Sequence, residues 1–258
     1  LREAGLITDA AWSDWNGDGQ PDLVLVGEWM SPTFFKNKDG ELIRAEVNIN
    51  DSSGAPLPAN GWWFHLNAQD LDGDGDEDCL LGNLGLNSKL CATPEEPVQV
   101  IAKDFDQNGA LDPLLACYLQ GEQYIMHQRD LLIDQIPAMK RRFPNYAKYA
   151  EATIDRTLSD KDFRNAYIRS SDTFASGLLE NTGSGNFIFR ELPPECQMSP
   201  IMGSIVIDIN GDSRPDLLSA GNFHATETTQ LGWQDASYGN ILLSKGNLQF
   251  ESVNPLSA

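Results

Sequence analysis

The chain has 258 residues, 41% of them hydrophobic and 22% charged, a composition that suits a globular protein with a substantial core and argues against disorder. Its formal net charge of −20 disfavours nucleic acid and anionic membrane as partners. No apolar run is long enough to cross a bilayer, so membrane insertion is not expected.

The chain opens at Leu1 rather than Met, which reads as an excised piece of something longer, so the lack of an amino-terminal signal carries little weight. Cys79, Cys91, Cys117 and Cys196 show no CxxC spacing, and a zinc site is not expected. They read as free, buried thiols; a Cys79–Cys91 bridge is the pairing to check first.

Taken in order, Ile7 to Trp12 is a short apolar-rich strand that enters an acidic loop, DWNGDGQPD. A β-rich run, LVLVGEW, leaves the loop, and Ser31-Pro32 turns the chain. TFFKN (Thr33 to Asn37) and ELIRA (Glu41 to Ala45) flank Lys38-Asp39-Gly40, a hairpin signal. The first unit is therefore a four-stranded meander. Asn48 to Asn60 is rich in turn formers and reads as a loop. The pattern then restarts. Gly61 to Ala68 enters DLDGDGDED and CLLGNLGL leaves it. Val98 to Lys103 enters DFDQNGALD and PLLACYL leaves it. Gly203 to Ile207 enters DINGDSRPD and LLSAGNF leaves it. A final hairpin, Tyr238 to Leu243 and Asn247 to Val253, turns around Ser244-Lys245-Gly246.

From about residue 127 to 170 the β pattern gives way to helical spacing. Leu131, Leu132, Ile136 and Met139 fall on one helix face, and Pro137 imposes a kink or restart. A second helix is expected over Pro144 to Ile154. Ser159 to Asp162 reads as an N-cap followed by an acidic first turn. Lys140-Arg141-Arg142 reads as a solvated helix face, with a docking surface as the functional alternative. The chain returns to β at Thr173 to Asn181 and Asn186 to Glu191.

The four acidic loops share one ligand grammar. Side-chain oxygens stand at positions 1, 3, 5 and 9, position 7 offers a backbone carbonyl, and position 6 needs a sharp turn, as a hard cation with six to eight oxygen ligands requires. The candidate ligands are Asp14, Asn16, Asp18, Gln20 and Asp22; Asp70, Asp72, Asp74, Asp76 and Asp78; Asp104, Asp106, Asn108, Ala110 and Asp112; and Asp208, Asn210, Asp212, Arg214 and Asp216. Gln20, Asp76, Ala110 and Arg214 are the position-7 residues. An EF-hand would need a Glu at position 12 and flanking helices. Position 12 is Leu25, Leu81, Leu115 or Ser219, and each loop runs into a strand rather than a helix. Plain Asp/Asn/Gly turns are the structural alternative, but four matched loops point to up to four Ca²⁺ ions. Mg²⁺ suits such an all-protein cage less well. The second loop should bind tightest. The fourth is the weakest, because Ser213 must take a backbone conformation costly for any residue with a Cβ.

These loops, the apolar strands after them, GNLGLNS (Gly82 to Ser88) and AGNF (Ala220 to Phe223) resemble FG-GAP/VCBS-type repeats, the calcium-binding repeats of integrin α-subunit heads and many exported bacterial proteins. The helical stretch resembles an insert seen in a bacterial subgroup. The resemblance implies a mainly β fold, a β-propeller with four-stranded antiparallel blades, over one domain, 1–258, with a helical insert at 127–170. It implies calcium between the first two strands of a blade and a binding or scaffolding role at the cell surface, outside the cell or in the periplasm. A seven-bladed ring is usual for such repeats. Only four loops occur here, unevenly spaced, so a partial ring, an arc of a longer protein and a ring with some calcium-free blades all remain open.

The leading expectation is a non-catalytic, calcium-stabilised module that binds a protein or glycan, with assembly onto other blades or chains to cover open edges. The alternative is a carbohydrate-active enzyme using Trp62, Trp63, His65, His127, His224 or Trp233. Trp62 and Trp63 read mainly as packing between blades, and His224 is the first choice for a functional histidine. No serine-nucleophile elbow, zincin motif or phosphate-cradling loop is present. The polar stretch Asn222 to Gly239 and the insert are where a binding face is expected.

Overall fold

The computed structural model describes residues 4–226 and 231–253. The first sheet is a meander of β1 (Leu6–Ser13), β2 (Asp22–Met30), β3 (Thr33–Lys38) and β4 (Glu41–Arg44), paired in chain order. Its hairpin turns where expected, with Asp39 and Gly40 at φ 55° and 90°, the left-handed pair that a two-residue turn needs. The stretch read as a loop contains β5 (Asn48–Asn50), and the single strand expected over Gly61 to Ala68 is split. Its first part, β6 (Gly61–Trp62), joins the edge of β2, while β7 (His65–Gln69) opens the second sheet.

The second sheet holds the main topological surprise. β7 and β8 (Asp78–Gly82) form its first hairpin, but the chain then leaves to build a whole further sheet. β9 (Val98–Lys103), β10 (Asp112–Leu119) and β11 (Glu122–Ile125) are followed by five short helices. These are α1 (Arg129–Gln135), α2 (Met139–Arg142), α3 (Tyr146–Ala150), α4 (Ile154–Thr157) and α5 (Asp160–Phe163). β12 (Tyr167–Ser171) then pairs back onto β9. Only after that do β13 (Gly177–Asn181) and β14 (Asn186–Glu191) complete the second sheet, in the order β5-β14-β13-β8-β7. Uneven loop spacing is thus explained by nesting: the third loop belongs to a sheet inserted inside the second. The fourth sheet, β15 (Gly203–Ile207), β16 (Asp216–Ala220), β17 (Asn240–Gly246) and β18 (Gln249–Val253), is again a meander.

The helical insert therefore ends earlier than 170, because β12 lies inside the stretch assigned to it. The restart at Pro137 is present, with α1 ending at Gln135 and α2 starting at Met139. The Ser159 cap is present too, its backbone N–H and hydroxyl both donating to Asp162 at 2.7 Å. The helices lie over the third sheet, where Leu132, Ile136, Met139 and Phe143 are buried against Ile101, Leu114 and Ala116. Lys140, Arg141 and Arg142 are exposed, and Arg142 donates to the Thr157 carbonyl at the end of α4 (2.9 Å). The closing hairpin turns later than expected: the strand runs through Gly246, and Asn247 and Leu248 make the turn at φ 51° and 54°. All four cysteines are free, Cys79 buried and Cys91 exposed, so the Cys79–Cys91 pairing is not made.

The unbroken apolar character of the central strands of the second sheet follows from burial on both faces. In β8, Cys79 and Leu81 enter one core and Leu80 enters another; in β13, Leu179 and Leu178 divide the same way. The first core, with Trp15, Val24, Val26, Phe34 and Trp63, joins the first and second sheets. Phe34 and Phe187 stack across it at 4.6 Å. The other core, with Leu217, Leu242 and Leu248, joins the second and fourth. Trp63 is fully buried between sheets, and Trp62 packs edge-on against Trp29 and Phe174. This mainly β stack of antiparallel sheets is compatible with a propeller-like fold; no closed ring is present among the described residues.

The GNLG segment closes the gap left by nesting. Asn83 is completely buried, and its Oδ1 accepts from the Trp62 and Leu84 N–H groups at 3.1 and 2.8 Å. Its Nδ2 donates to the Thr173 and Ala175 carbonyls, just before β13. Replacing Asn83 with Ala should therefore destabilise the protein by roughly 2–4 kcal/mol, since buried donors and acceptors lose their partners. Chemical denaturation measures this, and a loss below about 1 kcal/mol would show that the junction does not depend on it.

Candidate metal centres

Each acidic loop joins the first two strands formed around it, β1–β2, β7–β8, β9–β10 and β15–β16, and all four fold by the same internal hydrogen bonds. The position-1 carboxylate accepts the position-6 N–H: Gly19 to Asp14 at 2.8 Å, Gly75 to Asp70 at 3.1 Å, Gly109 to Asp104 and Ser213 to Asp208 at 2.9 Å. The position-5 side chain accepts the position-7 N–H, from Gln20, Asp76, Ala110 and Arg214 to Asp18, Asp74, Asn108 and Asp212. These are Asx turns in series.

Position 9 behaves differently from the rest. Asp22, Asp78, Asp112 and Asp216 are all buried, and each carboxylate accepts at least one backbone N–H bond, in three of them from a neighbouring strand. Asp78 takes Leu71 at 3.1 Å and Asn181 at 2.9 Å; Asp216 takes Ile209 at 2.9 Å and Ser244 at 2.7 Å. Asp22 accepts Asn37 and Asp112 accepts Phe105. Burial raises the Asp22 carboxyl and pushes Asp78 up to about 7, although the N–H bonds pull the other way. These residues anchor the fold in addition to facing the loop.

The loops differ in how their charge is balanced. Asp70, Asp72 and Asp78 bring one oxygen each to within 4.8 Å of one another, and so do Asp104, Asp106 and Asp112. Like charges about 4 Å apart repel by roughly 4 kcal/mol at the effective dielectric of a protein surface. A hard cation between them removes that repulsion, and an all-oxygen set is the chemistry such an ion selects. In the first loop, Lys36 pairs with Asp18 at 2.9 Å and holds its carboxyl below the usual range. In the fourth, Arg214 pairs with Asp212 at 2.5 Å. Neither of the other loops has such a pair among the described residues. Lys103, next to Asp104, instead donates to the carbonyls of Lys161, Asp162 and Arg164. The third loop therefore ranks beside the second, above the first. In the first loop Asn16 Nδ2 sits against Asp22, while its Oδ1 is buried without a hydrogen-bond partner, a free oxygen at a ligand position.

Ser213 does take the costly conformation, at φ 66° where Gly19, Gly75 and Gly109 stand at 79°, 98° and 89°. Position 4 is left-handed as well, in Gly17, Gly73, Gln107 and Gly211, so each loop needs two such positions rather than one.

Of the other residues singled out, His224 is exposed and lies 4.0 Å from the Asp235 carboxylate. Trp233 and Tyr238 are exposed in the polar stretch Asn222 to Gly239, of which residues 227–230 lie outside the described residues. His65 is the better-organised histidine. It hydrogen-bonds Asp9 and Ser204, two residues that no local pattern marks out, because they sit on strands of other sheets.

Residues 14–81 match the family model of the FG-GAP-like repeat. The match begins at the first residue of the first loop and ends in β8, directly after the second, so it spans two loops and the hairpins between them. It supports the FG-GAP/VCBS repeat family for this part of the chain. No curated protein matches the chain at a significant level.

Exchanging Ser213 for Gly should stabilise the protein by about 1 kcal/mol, because a Cβ in the left-handed region costs about that much. The thermal midpoint measures it; an unchanged or lower midpoint would show that the loop carries no strain at this position.

Proposed function

We propose that the chain is a calcium-stabilised β-propeller-type module that presents a binding face to a protein or glycan partner outside the cytoplasm. The observation that carries this reading is the repetition of one loop geometry at four places, two of which gather three carboxylates around a point. Calcium would be held by Asp70, Asp72, Asp74 and Asp78, and by Asp104, Asp106, Asn108 and Asp112, with the Asp76 and Ala110 carbonyls in support. The first and fourth loops, with Lys36 and Arg214 already against their position-5 carboxylates, would bind more weakly. Calcium at millimolar concentration outside the cell would fill sites even of the weak 10⁻⁴–10⁻³ M class, so the reading places the module outside the cell, at its surface or in the periplasm. The binding face is assigned to the loop bearing Trp233 and Tyr238, because exposed aromatic rings on a rigid scaffold suit sugar or peptide contact.

Calcium at about one hundred times its Kd should add roughly 2.7 kcal/mol per site. Two such sites correspond to a thermal shift of roughly 10–20 °C for a chain of this size. Differential scanning calorimetry with and without EGTA checks this, and equal midpoints would overturn the structural-metal reading. Asp72→Asn and Asp106→Asn should each remove one of the two tighter sites from a calcium titration. Binding on a glycan or protein array should fall at least tenfold in Trp233→Ala.

A further inference from the structure

Edge strands of three sheets, β1, β7 and β15, lie side by side, and a residue on β7 meets one from each of the other two. Asp9 on β1 places Oδ2 3.0 Å from Nδ1 of His65 on β7, and His65 Nε2 lies 2.8 Å from the hydroxyl of Ser204 on β15. Asp9 is itself held firmly: Oδ1 accepts from Ala10 N–H at 2.8 Å, and Oδ2 also accepts from Leu66 N–H at 2.9 Å.

The direction of the array is set by what each group can do. A carboxylate only accepts, so in the neutral imidazole, the form a general base needs, Nδ1 carries the proton and Nε2 offers its lone pair. In that form the Ser204 hydroxyl donates to Nε2. Its oxygen in turn accepts from Asn67 Nδ2 at 3.2 Å. The second N–H of Asn67 makes no hydrogen bond among the described residues and is available beside the serine oxygen. Ser204, His65 and Asn67 are all partly exposed, so the serine can be approached. A clasp between sheets would need only one hydrogen bond. Here a base, a group that orients it and an amide donor converge on one hydroxyl.

We propose that Ser204 is an acyl-transfer nucleophile for small carboxylic esters, with His65 as general base, Asp9 as positioning residue and Asn67 as oxyanion donor. Ser204 Oγ would bond to the ester carbonyl carbon while its proton passes to His65 Nε2. Collapse would break the ester C–O bond, and the alcohol would leave with that proton. Water would then enter by the same route, its proton going to His65 and on to Ser204 Oγ as the acyl–serine bond breaks. The net change is ester plus water to acid plus alcohol, with no further co-reactant.

The test treats the calcium-loaded chain with a fluorophosphonate, followed by intact-mass measurement and peptide mapping, and with p-nitrophenyl acetate. One adduct per chain is expected, on Ser204, and none in Ser204→Ala. Labelling should slow roughly 10³-fold or more in His65→Gln, and ester turnover should drop about 10²-fold in Asn67→Ala. Absence of an adduct on Ser204 in the folded wild-type protein would overturn the proposal. So would equal labelling rates in wild type and His65→Gln; if that variant does not fold by circular dichroism, Asp9→Asn replaces it under the same criterion. Calcium binding is measured separately, so failure here leaves the metal reading standing.

Discussion

The structure depends on a buried carboxylate at the end of each acidic loop. Taking an aspartate out of water is costly unless hydrogen bonds replace the solvent. Asp22, Asp78 and Asp216 meet that condition with backbone N–H groups of Asn37, Asn181 and Ser244, which belong to β3, β13 and β17, the neighbours of the strands that the aspartates begin. Loop, hairpin and next strand are thereby tied into one unit. Asp78 makes clear why a sheet can be interrupted: its partner Asn181 lies 103 residues further along the chain. The bond fixes where the chain must return, whatever has been built in between. In the third sheet, Asp112 has only the bond within its own loop among the described residues, and there the last strand, β12, pairs on the opposite side, next to β9.

Burial on two faces gives the second sheet its place between the first and the fourth. The fourth sheet shows what an outer position looks like. Leu217 and Leu242 face the second sheet and are buried, whereas Ile205 and Leu218, paired on the other face, are 57% and 38% exposed. The loops of the first two sheets touch directly. Glu77 accepts from Asp14 N–H at 3.1 Å, and Asn181 Nδ2 donates to the Trp15 carbonyl at 2.8 Å. Neighbouring loops thus share a hydrogen-bonded boundary at one end of the stack.

The loops and their exit strands were legible because their chemistry is local. Alternating Asp, Asn and Gly set both the Asx turns and the left-handed positions, and an unbroken apolar run comes from burial on both faces. Nesting was not legible, because spacing along the chain does not say which strand pairs with which. Leu178 pairs with Leu80 across the inserted sheet, yet its sequence resembles any other exit strand. β12 was hidden for a different reason. YIRSS is mostly exposed at the edge of its sheet, so it carries no alternating apolar signal and merges with the helical stretch before it. His224 carries the stronger local signal because it stands in a polar loop, whereas Asp9 and Ser204 reach His65 from 56 and 139 residues away.

The two sites are joined through one hairpin. β7 and β8 pair from Gln69 opposite Asp78 to His65 opposite Gly82. The acidic loop closes that hairpin, so whatever fixes Asp70 against Asp78 also fixes the register at its far end. A one-residue slip would turn His65 and Asn67 away from Ser204 and bring Leu66 to the face they now occupy. Leu66 is 5% exposed and belongs to the core shared with the first sheet, so packing opposes the same slip. Charge balance in the loop and apolar burial along the strand therefore act on a single degree of freedom, and that register places the imidazole between Asp9 and Ser204.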